Sequence, residues 1–406
     1  MGQDVKAIAY FLTQFHPFPE NDAWWGKGFT EWTNSSKAKP LFKGHYQPHF
    51  PADLGYYDLR LKETRHEQIK LAKQYGIHGF CYYYYWFSGK RLLEQPLDAM
   101  FDDPESDFPY CLCWANENWT RRWDAGSTEI LMEQKYLPID DTLFIESIAK
   151  YLADPRYIRF EGKPLLIVYR PQQMPDAKRS VAVWREYCRK AGIGEIHVRA
   201  ALTHRNHTYK QFDFDGSVEF PPHSMNCENL SSQISFHGHF TGYCPDYKDV
   251  AEQYLEYRYG ETALGFRSVF PSWDNTARMG DRATTILNGT PENYEYWLKR
   301  AVEASQRDFP DREKFVFINA WNEWAEGAHL EPDQKYGHRF LEATARVLRG
   351  ESTVSGWTHV GVQDDMRPTP AEVEAVVYVQ SQSRKKSKLS RAFRKLRDTL
   401  NGRRFR

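Results

Sequence analysis

This 406-residue sequence predicts an α/β fold, a (β/α)8 barrel with long loops after its strands and a basic helical tail at its C-terminus. Three observations point there. Short apolar runs alternate with segments of helical period along most of the chain. No Gly-rich phosphate-cradling turn follows the first run, which argues against an open dinucleotide-binding sheet. Aromatic, amide and acidic residues gather immediately after the runs, where barrel enzymes carry their sites.

Taken in order, Lys6 to Phe15 reads as a first strand, followed by a long aromatic loop bearing Trp24, Trp25, Phe29 and Trp32. Leu61 to Tyr75 has helical spacing and is stopped by Gly76. Ile77 to Phe87 is the second strand and Pro109 to Trp119 the third. A helix over Asp141 to Leu152 leads to the fourth strand, Pro164 to Tyr169, and one over Val181 to Ala191 to the fifth, Ile196 to Leu202. Gly216 to Phe220 is a short sixth strand, and Val250 to Tyr259 suits a helix. Phe266 to Trp273 is the seventh strand, Pro291 to Ser305 a helix with proline in its first turn, and Phe315 to Ala320 the eighth strand. Tyr336 to Leu348 closes the series as a helix.

The densest chemistry lies between Phe315 and Pro332, in FVFINAWNEWAEGAHLEP. After the apolar strand come Trp321, Asn322, Glu323, Trp324, Glu326, Gly327 and Glu331. Indoles stack on sugar faces while carboxylates supply acid, base and hydroxyl contacts, so the pattern fits a sugar site. It also fits a Trp-rich core edge with solvated glutamates.

Other strand ends add candidates for substrate binding. They are Gln14 and His16 after the first, Tyr84 and Trp86 on the second, and Asn116, Glu117, Trp119 and Arg122 after the third. Tyr169 ends the fourth, Glu219 the sixth, and Trp273 and Asp274 the seventh; Trp25 and Trp32 stand in the aromatic loop. Alternation turns about half of the Tyr82–Trp86 run toward the barrel interior and half toward the helices. Core packing or loop ordering serves equally well for Trp24, Trp25, Trp32 and that run. Arg121 and Arg122 have Asp124 and Glu129 as potential ion-pair partners.

Composition sets limits. The formal net charge is zero, which argues against a nucleic-acid partner. Yet Arg384 to Arg406 holds eleven Lys/Arg against the single acid Asp398, leaving the rest with an excess of ten acids. Within that tail Leu389, Phe393, Leu396 and Leu400 share one helix face, suiting either a basic amphipathic helix on an anionic membrane or a solvated tail. The division expected is a catalytic domain over 1–350, an extension over 351–380 without functional signal, and the tail over 381–406. The six cysteines lack paired spacing, and Cys81, Cys111 and Cys113 read as buried thiols. Met1 to Lys6 runs into the first strand without a leader, which predicts a cytoplasmic protein. His45 with His49, and His237 with His239, have spacings a metal could use, but no carboxylate or thiol completes a ligand pattern. No metal and no cofactor is expected, and without a Gly-x-Ser-x-Gly elbow serine hydrolysis has no support.

The runs AYFLTQFHPFPENDAWWGKGFTEWTN, KPLFKGHYQPHFPADLGYYDLR, YGIHGFCYYYYWFSGKRLLE, CLCWANENWTRRWD, FPSWDNTARMG and FINAWNEWAEGAHLEPDQKYG resemble the WbsX-type domain. That domain occurs in bacterial surface-polysaccharide clusters and is similar to glycoside hydrolase family 99, the endo-α-mannosidases. The resemblance covers roughly Ala7 to Leu348 and implies a (β/α)8 barrel. Through a WNEWxEG-type motif it also implies catalytic roles for Glu323, as base toward the sugar 2-hydroxyl, and Glu326, as acid/base, with Glu117 in reserve. The implied partner is a glycan, including a lipid-linked one, of O-antigen or capsule metabolism. Three functions compete: a retaining glycosidase or transglycosylase on an α-linked, mannose-like glycan, a glycosyltransferase using the same cleft, and a catalytically silent glycan-binding module.

Overall fold

The computed structural model describes residues 4–121, 129–204, 206, 208–256 and 265–369. Eight parallel strands form a closed ring: β1 (Lys6–Phe11), β2 (Ile77–Phe87), β3 (Tyr110–Trp114), β4 (Lys163–Val168), β5 (His197–Leu202), β6 (Gly216–Glu219), β7 (Gly265–Val269) and β8 (Phe315–Ile318). Each pairs with the next, and β1 pairs with both β2 and β8, so the ring closes without a free edge.

Helices cover the outside: α1 (Lys62–Gln74), α2 (Gln95–Asp102), α3 (Asp140–Leu152), α4 (Ala177–Lys190), α5 (Tyr247–Glu256), α6 (Pro291–Asp308) and α7 (Arg339–Arg349). Two start at side-chain caps: the Asp176 carboxylate accepts from the Arg179 amide at 3.0 Å, and Thr290 caps α6 just before Pro291. Among the described residues the β5–β6 connection carries only a 3₁₀ turn at Lys210–Phe212, so the strand–helix alternation is incomplete there. Helix α2, conversely, has no counterpart in the sequence-based series; it is short and begins with proline at its second position.

Large rings fill the barrel. Tyr10 packs on Tyr83 (5.8 Å), Phe220 (4.6 Å) and Phe317 (5.4 Å). Nearer the N-terminal ends of the strands, Arg199 lies 3.3 Å from the centroid of the Phe266 ring. Cys81, Cys111 and Cys113 are buried in this packing.

The first and third strands stop earlier than their apolar runs, for one shared reason. Beyond Phe11, the Asn322 side chain takes over as pairing partner: Leu12 N donates to its Oδ1 at 2.8 Å and its Nδ2 donates to Leu12 O at 3.0 Å. Beyond Trp114, Asn116 does the same to Arg170, at 2.7 and 2.9 Å. An amide offers a donor and an acceptor in the geometry of a peptide group, so each asparagine extends a ladder by one rung.

The aromatic stretch after β1 is not one continuous loop. It folds into two short helices, Pro19–Trp25 and Glu31–Lys37, the second capped by Thr30, whose Oγ1 accepts from Trp32 N at 3.3 Å. Residues 351–369 run back over α5 and α6. Trp357 donates to Glu252 (3.0 Å), Thr358 N to Asn293 (2.9 Å) and Gly361 N to Asp246 (2.6 Å), while Val362 enters a small cluster with Phe42, Leu230 and Leu287. The basic tail lies outside the described residues. Among those described, no helix is long and apolar enough to cross a membrane.

Candidate active site

A cleft of about 360 Å³ opens where the strands end. Tyr83 and Tyr85 of β2, Glu117 and Trp119 after β3, Tyr169 after β4 and Trp273 after β7 line it, together with Glu323 and Glu326 after β8. Aromatic walls with a carboxylate floor are suited to a polyhydroxylated ring: flat apolar faces meet the sugar's C–H faces, and acids meet its hydroxyls.

The chain curls tightly to bring the two glutamates to this floor. Asn322–Glu323 pairs antiparallel with Ala328–His329, and Trp324–Glu326 forms a 3₁₀ turn between them. The turn closes at Gly327, with φ +59°, where a Cβ would lie 3.1 Å from Asp274 N and O. A side chain there would meet both a left-handed backbone and a neighbouring peptide, so glycine is required. The curl directs both carboxylates at the guanidinium of Arg278. Nη1 is 2.5 Å from Glu326 Oε1, and Nη2 is 3.2 Å from Glu323 Oε2. A third carboxylate joins them: Glu31 Oε2 lies 2.9 Å from the same Nη2.

This crowding sets the electrostatics. Burial, then the neighbouring Glu326, push Glu323 up to about 8 against the pull of Arg278. Burial raises Glu326 as well, again opposed by Arg278. Burial works against the charge of Arg278, but Glu31, Glu326 and Glu323 outweigh it and hold the guanidinium firmly protonated. Glu323 and Glu326 titrate as a pair, and such a pair retains a proton at neutral pH. Glu117 pairs with Arg170 at 2.9 Å on the opposite wall and is raised by burial.

Of the residues singled out in the sequence, Glu117, Trp119, Tyr169, Trp273, Glu323 and Glu326 meet at the cleft. Others do not. Tyr84 and Trp86 face the outer layer: Tyr84 donates to Ser147 Oγ at 3.0 Å, and Trp86 packs on Phe144 at 5.6 Å. The cleft takes Tyr83 and Tyr85, the other parity of the same run. Asn116 and Asn322 are the ladder clamps described above. Trp321 and Trp324 are buried; Trp324 stacks on His329 at 3.8 Å and donates to Glu331. Glu331 also accepts from Tyr57 (2.8 Å) and Gln68 (2.6 Å), well inside the protein, and burial pushes it up to about 7.

Glu219 is likewise internal. It accepts from Arg267 Nη1 (2.9 Å) and Ser268 N (3.1 Å), and burial raises it to about 7. Asp274 turns away from the cleft to accept from His45, Gln47, Thr276 and Thr285. Gln14 and His16 are buried beneath the loop; the Gln14 carbonyl accepts from Glu31 N at 3.1 Å, and burial lowers His16 to about 4. Trp32 donates to Tyr57 O at 2.8 Å and packs on Trp324. Trp25 stacks on Phe29 beside Arg121, off the cleft lining, and Arg121 pairs with Glu129. Arg122 lies outside the described residues.

Besides Tyr83 and Tyr85, two residues at the site escaped the sequence reading. Glu31 sits in the aromatic loop with no motif of its own, and Arg278 in a polar turn after β7. Only the tertiary contact marks either. His45 and His49 are not ordinary loop histidines: His45 holds Asp274 at 2.6 Å, and Nδ1 of His49 meets Nε2 of His329 at 2.8 Å. The ligand atoms of His49, His329 and Asp333 converge within 4.8 Å, but the two rings spend those nitrogens on each other.

A closed parallel barrel with an aromatic-walled cleft and clustered carboxylates at the ends of its strands defines a carbohydrate-active enzyme. Residues 7–344 match the family described as Glycosyltransferase WbsX, and the chain belongs to that family. It is 44% identical over 342 residues to "Uncharacterized protein WxcX" of Xanthomonas campestris pv. campestris, in each of two strains. That match covers 84% of this chain and 49% of the relative, so the chain spans about half the relatives' length. The fold is similar to that of the GH99 endo-α-mannosidase from Bacteroides thetaiotaomicron, with TM-score 0.55 and 15% identity over 86% of this chain and 98% of that one. A second similar structure, a "Glycoside hydrolase-like protein", gives TM-score 0.52 and 13% identity, covering 86% and 94%.

Proposed function

We propose that the chain acts on α-linked, mannose-like glycosidic bonds with retention of configuration, with Glu323 and Glu326 as the working pair. The observation that carries this reading is the convergence of both carboxylates on Arg278 at the floor of an aromatic-walled cleft. Glu323 takes the proton of the sugar 2-hydroxyl, and that oxygen attacks the anomeric carbon. The bond to the leaving oxygen breaks as Glu326 protonates it, leaving a 1,2-anhydro sugar. Glu326, now a carboxylate, takes a proton from water or an acceptor hydroxyl. The incoming oxygen bonds to the anomeric carbon, the anhydro ring opens, and O2 recovers its proton from Glu323. The cycle starts with the pair's single proton on Glu326 and Glu323 ionised; because burial favours the proton on Glu323, it passes to Glu326 as substrate binds.

A 2-deoxy aryl α-mannoside tests the reading, because removing the 2-hydroxyl removes the nucleophile. We expect turnover of the parent aryl α-mannoside and none of the 2-deoxy compound. Rapid cleavage of the latter would point instead to direct carboxylate attack or to Glu117.

The family description favours a second reading, glycosyl transfer from an activated donor in the same cleft. Consumption of a nucleotide- or lipid-linked sugar without hydrolysis of the aryl glycoside would select it. In either reading the glycan belongs to bacterial surface-polysaccharide metabolism at the cytoplasmic face of the membrane, where the basic tail would meet anionic lipid.

A further inference from the structure

Glu31 has no part in the chemistry just described, yet its carboxylate is wholly buried beside it. It comes from a different element, the helix Glu31–Lys37 after β1, whose first amide is tied to the Gln14 carbonyl and whose entry is capped by Thr30. The side chain meets Arg278 twice, at Nη2 (2.9 Å) and Nε (3.3 Å). Nη2 is also the atom nearest Glu323. Glu31 and Glu323 therefore share the two hydrogens of one NH2 group, while Nη1 serves Glu326.

Burying a carboxylate is costly unless it is paired. Here the pairing draws on a cation that the two cleft glutamates also need. We propose that Glu31 is a positioning residue that occupies one edge of Arg278, so that Glu323 and Glu326 keep a single proton between them. The proposal rests on the reading of those two glutamates as the working pair.

Among the described residues, the other groups facing this set supply no second cation in contact. Tyr83 and Tyr85 come from β2 and Tyr169 follows β4; burial raises all three well above the usual phenol range, so they carry no charge at neutral pH. Glu117 is a further carboxyl, and Arg170, which could compensate, is already paired with it. With Glu31 in place the described cluster holds one guanidinium against three carboxyls. Without it, one carboxylate fewer would compete for Arg278, and Glu323 and Glu326 would both ionise more readily.

The test is the protonation of the pair itself, read by infrared difference spectroscopy of protonated carboxyl groups against pH. Glu323→Gln and Glu326→Gln serve as references that identify the band. In Glu31→Gln the midpoint of that band should fall by about 1–3 pH units, the range over which a contacting charge moves a carboxyl. Arg278→Met, which removes the cation and leaves Glu31, should move it upward. Glu31→Asp should restore part of the wild-type midpoint. If Glu31→Gln does not fold, Arg278→Met and Glu31→Asp still carry opposite expectations. A midpoint unchanged in Glu31→Gln, or moved in the same direction by loss of Glu31 and of Arg278, overturns the proposal. None of these readings needs turnover. A glycosidase reading lost to the 2-deoxy substrate would therefore leave the infrared result standing, and the reverse also holds.

Discussion

Two carboxylate sites on one short loop make an instructive contrast. Glu323 and Glu326 lie at the cleft against a guanidinium, while Glu331, five residues further on, lies in the interior against neutral donors from Tyr57, Gln68 and Trp324. Burial raises all three. What separates them is the company they keep. At the cleft, like charges and a shared cation leave a proton free to move and open space to move it into. At Glu331, Tyr57, Gln68 and Trp324 donate to the carboxyl, which does not border the cleft. Proximity in sequence and similar burial do not distinguish these carboxylates; an adjacent titrating partner and access to the cleft do, and they are what mark Glu323 and Glu326 as the proposed pair.

The sharpest way to break this comparison is to exchange the charges. Glu326→Gln should lower turnover of a poor-leaving-group α-mannoside by about 10²–10⁴-fold, the usual worth of a general acid–base group, and be partly rescued by an activated leaving group. Steady-state kinetics on the two substrates checks this, and equal loss on both would remove Glu326 from protonation of the leaving oxygen.

Glu331→Ala should behave in the opposite way. Three buried donors lose their acceptor, at about 1–3 kcal/mol each, so denaturant unfolding should show a loss of about 3 kcal/mol or more. Turnover per folded molecule should change far less than in Glu326→Gln. A stable, inactive Glu331→Ala would erase the distinction drawn here.

Acidity offers a subtler probe. Glu331 is raised to about 7, so between the ordinary glutamate value and 7 the folded state binds more protons than the unfolded chain. Its contribution to stability is full below pH ~4.3 and falls as pH rises through 7, by roughly 4 kcal/mol at most. Glu219, also raised to about 7, acts with the same sign. Glu331→Gln should flatten the decline of stability across that window, measured by chemical denaturation at successive pH values. An unchanged slope would show that the carboxyl does not titrate there.

The smallest expected effects separate the two faces of β2. Tyr83→Phe should cost about tenfold in affinity for the cleaved glycan, the worth of one hydrogen bond of about 1.4 kcal/mol, with stability nearly unchanged. Tyr84→Phe should cost about 1 kcal/mol of stability through its lost bond to Ser147 and leave binding alone. Calorimetric titration and unfolding on both variants tell them apart; reversed outcomes would mean that the parity has been misassigned.

The tyrosine run shows where legibility in the sequence ends. Period-two alternation requires that half of Tyr82–Trp86 face inward, but which half depends on strand pairing, which no local pattern carries. Tyr84 and Trp86 therefore read as site residues while Tyr83 and Tyr85 hold the positions. Asn116 and Asn322 misled for a related reason. Polar residues at strand ends are as useful for completing a ladder as for holding a ligand, and only the partner, Arg170 or Leu12, distinguishes the uses.

By itself, the sequence determined the class of fold and pointed to the loop where the proposed chemistry lies. Apolar runs must be buried, their lengths suit strands, and helical periods between them leave a closed parallel ring as the arrangement that satisfies every backbone group. It also marked the turn carrying Glu323 and Glu326, because glycine after two spaced acids and two indoles is a local signal. What tertiary structure alone decided is the electrostatic setting. Glu31, Arg278 and the two glutamates come from three separate segments of the chain, and Coulomb interactions depend on distance in space, to which position along the chain is blind.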